Sequence, residues 1–523
     1  VNLFPEVVPE GSGGKEGGFL LRCPGLRLLA TVGSGPIRGL WVTNGVAYVV
    51  SGSQFYSLST SYTATLLGTV SGTSPVSMAD NGTQIFIACN PAGFIYNTVT
   101  NVFGAITDPD FPGAGSVGYV DGYFVFNEPN SQKFWVTSLL DGTSIDPLDF
   151  ASAEGYPDNV IALIVDHREI FLFGNTSVEV WYDAGTPDFP LARIQGAFME
   201  VGCGAAYSVA KLDNSVFWLG SDARGRGTVY RANGYTPARV STNAVEFAIQ
   251  SYGNISDAIG YTYQQDGHPF YVLIFPSAQA TWVYDVSTQL WHERAAFENG
   301  EFTRHRSNCQ MSFNSEIVVG DYEDGRLYAY DLDVYADDDQ IQKWLRSWRA
   351  LATGQNNLKR TAHHSLQLDA ETGVGLNAYP AYDGEDLATE AGDIIVAEFV
   401  QGYLTTQAGD QLVTEANDGN EPLVTQVQPA EDYNGYALET EAYTAAPGYD
   451  PQVMLRWSDD GGHTWSNEHW NSMGKIGNYG YRTIWRRLGM TEKIRDRVYE
   501  VSGTDPVKIA IMGAELFVTP TSS

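Results

Sequence analysis

Apolar positions in this chain come in short runs, each cut off by a turn residue before a helix could be completed. Between about Gly35 and Tyr335 one unit recurs: a β-branched or aromatic run, a Gly, Asn or Asp turn, and a second such run. The clearest pairs are Val46–Val50 with Gln54–Leu58, Gln84–Ala88 with Phe94–Tyr96, Tyr123–Phe126 with Phe134–Thr137, and Ile170–Phe173 with Val178–Trp181. Three more follow: Val216–Leu219 with Val229–Arg231, Phe270–Phe275 with Thr281–Asp285, and Glu316–Val319 with Arg326–Tyr330. Each predicts an antiparallel hairpin, and the second strand often carries an aromatic expected on display (Tyr56, Tyr96, Trp181, Tyr230, Tyr284, Tyr328). Successive units start roughly 40 to 50 residues apart, the period of four-stranded propeller blades. At about 45 residues per blade the stretch predicts six or seven blades, whereas a series of β-sandwiches would space its hairpins less evenly.

Composition supports the all-β class. There are 55 glycines in 523 residues, and 30 Tyr, 24 Phe and 12 Trp stand beside only 18% charged residues, a mixture suited to short strands and tight turns. From Asp337 to Leu351, Ile341, Trp344, Leu345, Trp348 and Leu351 fall at helical spacing behind three aspartates, although the Trp and β-branched content also suits a strand. The expected organisation is an extended N-terminal segment (1–35), a propeller (36–335), a C-terminal β domain (336–375 and 451–523) and an acidic β-rich insertion within it (376–450). The insertion is marked by charge: Thr361–Leu455 holds 17 Asp plus Glu and no Lys or Arg, whereas Arg456–Ser523 holds 9 basic and 8 acidic residues. Inside it, Thr389–Glu398 and Thr406–Glu415 echo each other, as strands around Gly-Asp turns would.

Thirty Lys plus Arg against 62 Asp plus Glu give a formal charge of −32, which argues against broad attraction to nucleic-acid phosphates or an anionic membrane. No apolar run approaches the roughly 18 residues of a membrane span, and Val1–Pro9 lacks the basic and apolar regions of a signal peptide, so a soluble protein without a readable address is expected. Four cysteines without CxxC spacing point to neither a disulfide framework nor a zinc site, and no cofactor is expected.

The sharpest local motif is SDDGGHTW, in which Ser458, Asp460, Gly462, Thr464 and Trp465 match an Asp-box hairpin. The carboxylate is expected to bind turn amides, the glycine to take positive φ and the Trp to pack beneath the hairpin. Sialidases carry such boxes repeatedly and away from their catalytic groups, so a single copy supports a folding device over glycoside hydrolysis. A glycan-binding or sialidase-like propeller is nevertheless the alternative function, and it requires an arginine cluster at the propeller centre. With 62 carboxylates no glycosidase pair can be singled out. None of the eight histidines forms HExxH, and adjacent His363 and His364 would point to opposite faces of a strand. There is no GxSxG elbow or Walker loop. Lys475–Arg497 concentrates seven basic residues against two acidic ones; Arg482, Arg486 and Arg487 are the candidates for pairing with acidic neighbours or a partner subunit.

Three co-linear blocks resemble the tail-hub proteins of short-tailed bacteriophages, also called packaged-DNA stabilisation or head-completion proteins. The first is Val1–Glu6 (VNLFPE) with Leu20–Leu26 (LLRCPGL). The second runs from Ser138 through Gly174–Asp183 (GNTSVEVWYD) and Gly220–Arg231 (GSDARGRGTVYR) to Pro237–Glu246 (PARVSTNAVE). The third comprises Asp369–Gly375 (DAETGVG), Pro451–Trp465, Trp485–Gly489 (WRRLG) and Thr504–Gly513 (TDPVKIAIMG). The resemblance implies a β-propeller followed by a β-sandwich-like domain, with Leu376–Asp450 as an insertion and Asp337–Leu351 in extended structure, the assignment adopted here. It also implies a structural, non-enzymatic virion tail subunit assembled in the host cytoplasm. Six copies would form a hub or nozzle below the portal adaptor that seals packaged DNA and anchors a tail needle, fibres or spikes. DNA would later pass through the lumen without specific binding.

Overall fold

In a computed structural model of the protein each of the seven expected hairpins falls in a separate sheet: six form the two middle strands of an antiparallel four-strand path, and the seventh, Glu316–Val319 with Arg326–Tyr330, forms the second and third strands of a six-stranded mixed sheet. The structure describes residues 1–8, 17–186, 189–222, 225–349, 360–374, 450–491 and 497–520, together with the short pair Leu387–Ala388 and Ile394–Ile395. Val1–Gly18, Cys23–Leu332 and Ala336–Lys343 make one compact unit; Phe19–Arg22, Asp333–Tyr335 and Trp344–Ser523 make another.

The first unit is a seven-bladed propeller among the described residues. Its innermost strands are Ile37–Thr43, Ser77–Asp80, Val117–Val120, Val160–Asp166, Ala210–Leu212, Ile259–Gln265 and Ser307–Phe313. They touch one another in sequence order, through the short turn Ala206–Ser208 between blades 4 and 6, and the seventh touches the first, which closes the ring. Blades 1 to 6 take their strands from consecutive segments. Blade 7 borrows its fourth strand, Gly25–Thr31, from the N-terminal segment, where it pairs antiparallel with Arg326–Asp331 and, on its other edge, parallel with Ala336–Asp337.

Both faces of a blade are covered by its neighbours, which explains why the strands read as nearly continuous apolar runs instead of strict alternation. In Gln84–Cys89, Ile85 and Ile87 pack toward blade 1 with Tyr48 and Phe55, while Phe86 and Ala88 pack toward blade 3 with Phe124 and Phe126. The same double burial corrects the expectation of displayed aromatics: Tyr96, Tyr284 and Tyr328 are 3%, 6% and 1% exposed. Tyr96 packs on Tyr48 and Phe55, and the Tyr328 hydroxyl donates to Asp321 at 2.9 Å.

The one α-helix among the described residues, Asn243–Gln250, follows blade 5 and was not signalled by the hydrophobic pattern. Thr242 caps it by accepting from the Val245 amide, and Val245 and Ile249 are its buried residues. It is far too short and polar to cross a membrane, and no other helix among the described residues does so.

Residues 336–349 are extended, as Ala336–Asp337, Gln340–Ile341 and Trp344–Arg349. The four-residue spacing of Trp344 and Trp348 fits a strand as well as a helix, because both residues then lie on one face. Trp344 is opposite Gly503, where a Cβ would lie 2.6 Å from the indole nitrogen.

In the second unit two sheets make a β-sandwich. One contains Gly18–Arg22, Ala510–Pro520, Thr361–Ala370 and Ile484–Met490; the other contains Trp344–Arg349, Val498–Gly503, Gln452–Ser458 and His469–Ser472. Side chains tie them together: His363 Nδ1 lies 2.8 Å from the Tyr499 hydroxyl, and Trp485 Nε1 donates to the His469 carbonyl at 2.8 Å. Adjacent His364 points the other way, onto Thr519 and Phe517. Within the insertion, Leu387–Ala388 pairs with Ile394–Ile395 on either side of Gly392-Asp393 in the sequence. The second echo, Thr406–Glu415, lies outside the described residues.

Candidate functional site

The propeller axis is a cavity of about 460 Å³ to which all seven blades contribute lining residues. Glycines set how closely its walls approach. A Cβ on Gly39 would sit 2.4 Å from Val76 Cγ2, one on Gly118 2.5 Å from Val165 Cγ2, and one on Gly260 2.4 Å from the Ser208 carbonyl. These glycines break the apolar runs RGLWV, SVGYV and AIGYT, the sequence signal for close backbone approach that the hairpin reading passed over.

Polar groups around the axis are spent on holding the ring. Arg38, 2% exposed, donates to the carbonyls of Gly52, Ser71 and Ser74 and to Cys89 Sγ at 2.7–3.1 Å. Lys211 Nζ donates to the Val165 carbonyl at 3.0 Å, and Asp80 accepts from Trp41 Nε1 and the Thr43 hydroxyl, both at 2.8 Å. Side chains also cross from blade to blade: Asn127 Nδ2 donates to Val160 O at 3.0 Å and Asn308 Nδ2 to Ile37 O at 2.9 Å. Arg38 and Lys211 are the only cationic side chains among the described lining residues, so the arginine cluster a sialidase-like centre requires is not assembled there.

The Asp-box residues come together between Gln452–Ser458 and His469–Ser472. Asp460 Oδ1 accepts from the Ser458 hydroxyl at 2.6 Å and from the amides of His463 and Thr464 at 2.9 Å, while Oδ2 accepts from the Thr464 hydroxyl at 2.7 Å. These donors, Ser458 foremost, hold its carboxyl well below the usual carboxylate range. Gly462 has φ +105° and donates to Ser458 Oγ at 2.8 Å; Trp465 is half-buried with the Arg456 guanidinium 4.8 Å above its ring. Every strong acceptor and donor in the box is turned inward.

The three candidate interface arginines lie along or beside the edge strand Ile484–Met490. Arg482 donates to Gln367, whereas Arg486 and Arg487 are exposed and make no ion pair among the described residues. A register shift opposite His363–Ser365 puts both on the solvent side between buried Trp485 and Leu488, and Arg487 adopts φ +61° there. Among the described residues no cluster of His, Cys, Asp and Glu could hold a metal ion.

No curated protein matches the chain. Among solved structures, the Mitotic Checkpoint Complex matches at 12% identity and a TM-score of 0.40, covering 63% of this chain and 98% of that one. The computationally designed Ika8 protein matches at 13% identity and 0.37, covering 59% and 99%. PorZ, a surface component of the type-IX secretion system of Porphyromonas gingivalis, matches at 12% and 0.37, covering 78% and 56%. Likenesses that low carry no argument about function. The family models are specific: residues 1–335 match the β-propeller of bacteriophage P22 Gp10 and residues 423–519 match its β-sandwich. With a closed propeller, a separate sandwich and both halves matched, the chain belongs to the bacteriophage P22 Gp10 family of packaged-DNA stabilisation and head-completion proteins.

Proposed function

We propose that this phage tail hub protein works as a six-membered ring that seals packaged DNA below the portal adaptor, anchors a tail needle, fibres or spikes, and later gives the genome its way out. The observation that carries the reading is the size of the propeller axis. A cavity of 460 Å³ is far too small to take in a duplex whose major groove alone is roughly 12 Å wide, which supports a conduit formed between subunits and not through a single propeller. Six copies, six times −32, bring −192 formal charges, and an acidic wall screened over about 8 Å repels a passing duplex instead of gripping it. Exposed Arg486 and Arg487, with Arg482 beside them, supply cations for an acidic surface of the next subunit or of the adaptor ring.

Negative-stain imaging of the full chain, alone and with its adaptor, tests this. A six-fold annulus with an axial opening is expected, and the charge reversals Arg482→Glu, Arg486→Glu and Arg487→Glu together should abolish it. A protein that stays monomeric beside its virion neighbours overturns the ring, and assembly of the triple variant at every salt concentration removes the arginines from it.

A further inference from the structure

We propose that the seam between blades 6 and 7 holds a small monovalent anion of halide size, bound by Arg294 together with Tyr263, His292 and His305. Arg294 directly follows the last strand of blade 6, Leu290–Glu293, and is 2% exposed. Its guanidinium carbon lies 5.4, 5.2 and 5.5 Å from the ring centroids of Tyr263, Phe270 and Tyr330. Nε donates to His292 Nε2 at 3.3 Å, while Nη1 and Nη2 find no acceptor, and among the described residues Arg294 makes no ion pair. Arg306 nearby differs: it is matched by Asp321, Glu298 and Glu323.

The surrounding groups all lack the same thing. Burial, then Arg294, holds His292 well below the usual imidazole value, and burial followed by Arg294, Arg304 and Arg306 pushes His305 down to about 3, so both rings are neutral near pH 7. His292 accepts at Nε2, which places its proton on Nδ1, and Nδ1 has no partner. His305 accepts the Ser307 amide at Nδ1 at 3.2 Å, which places its proton on Nε2, and Nε2 has no partner either. The buried Tyr263 hydroxyl is in the same position.

The seam therefore presents N–H and O–H groups from four side chains and one full positive charge; the neutral phenol oxygens of Tyr263 and Tyr330 lie beside Arg294, but among the described residues no carboxylate pairs with it. Each unsatisfied buried donor carries a desolvation penalty, and an unmatched buried charge a larger one. Water could accept one or two of these bonds but would leave the charge uncompensated. An anion has only acceptor capacity and supplies the missing charge. Phe4, Phe270 and Tyr330 crowd the same rings, which favours a halide over an organic carboxylate.

Crystals of the full chain grown in bromide and measured at the bromine absorption edge test the site in the native protein. An anomalous peak within hydrogen-bond reach of Arg294 Nη1 or Nη2 is expected; an ordered water there, with bromide only at the surface, overturns the proposal. In solution, exchanging chloride for gluconate at constant pH and ionic strength should lower the unfolding midpoint of the wild type and leave Arg294→Met unmoved. An equal response of the two proteins overturns it. Should Arg294→Met fail to fold, the bromide peak decides alone.

Discussion

The propeller and the sandwich use the same strands and turns but find their partners at different distances along the chain. In blades 1 to 6 every strand pairs with a segment from the same blade, and only Gly25–Thr31 has to travel, to Arg326–Asp331. In the sandwich distant pairing is the rule: Thr361–Ala370 pairs with Ala510–Pro520, Trp344–Arg349 with Val498–Gly503, and Leu20 and Leu21 with Ile511 and Ala510. Loop closure entropy is thus concentrated in one seam of the propeller and spread through the whole sandwich. Local pairing makes a repetitive wall cheap to build; distant pairing gathers the chain's far ends into one domain.

The largest expected effect separates the two units through a buried ion pair in each. Asp321, fully buried, accepts from Arg306 Nε at 2.8 Å, from the Tyr328 hydroxyl at 2.9 Å and from the Glu323 amide at 2.7 Å. Asp459 takes Arg497 in a two-point grip at 2.8 and 2.7 Å, and Arg497 is 3% exposed. Removing one partner of such a pair costs about 3–5 kcal/mol. Calorimetry of the full chain should show Asp321→Ala lowering one unfolding transition and Asp459→Ala the other. Equal shifts of a single transition by both variants would show that the units unfold together and that the difference in wiring has no thermodynamic consequence.

A smaller effect probes the axis. Gly260→Ala places a methyl 2.4 Å from the Ser208 carbonyl, backbone that cannot rotate away, and overpacking of this kind costs about 1–3 kcal/mol. Gly104, on the outer strand of blade 2, has nothing within 4 Å of an added Cβ, so Gly104→Ala is expected to be neutral or slightly stabilising. Urea titration of the two variants measures how far tolerance in the propeller depends on distance from the axis.

The same contrast explains what could be read from the sequence. All seven hairpins were legible because both strands and their turn lie within a few residues of each other. Outer strands such as Ala64–Thr69 were not, since one side faces solvent and residues such as Thr65 carry no apolar signal. The role of Gly25–Thr31 in blade 7 was invisible to pattern, because its partner lies 300 residues away. In the sandwich, the Asp box was fully legible, its bonds running from Ser458 to Thr464, whereas the pairing of Trp344–Arg349 was hidden by a spacing that both helix and strand satisfy. Arg294, His292 and His305 gave no motif at all; only the fold brings blade 6 and blade 7 side chains to one place.

The smallest effect concerns the N-terminal strand Leu3–Val7, the propeller's other distant contact. Asn2 donates its amide to Glu293 O at 2.8 Å and exchanges side-chain bonds with Ala295 at 2.8 and 2.9 Å, and Phe4 packs edge-on against Phe270. At its far end His268 lies between two carboxylates, Nε2 at 2.7 Å from Glu6 and Nδ1 at 2.8 Å from Asp285. Burial alone would lower the ring pKa, but Asp285 and Glu6 outweigh it and hold it above the usual value near 6.5. A raised folded pKa means this latch is at full strength below about pH 6.5 and weakens as pH rises through the folded value. Hydrogen exchange at the amides of Leu3–Val7 should therefore quicken with pH beyond the intrinsic base-catalysed rise. Glu6→Gln should flatten that extra dependence at a cost under about 1 kcal/mol, since Glu6 is partly exposed. The Asp box has the opposite sign: its depressed carboxyl contributes stability that is lost only as pH falls below about 4. If Leu3–Val7 instead loosens on acidification, the carboxylates do not hold a charged His268, and the Asn2 hydrogen bonds with the packing of Leu3 and Phe4 retain the strand.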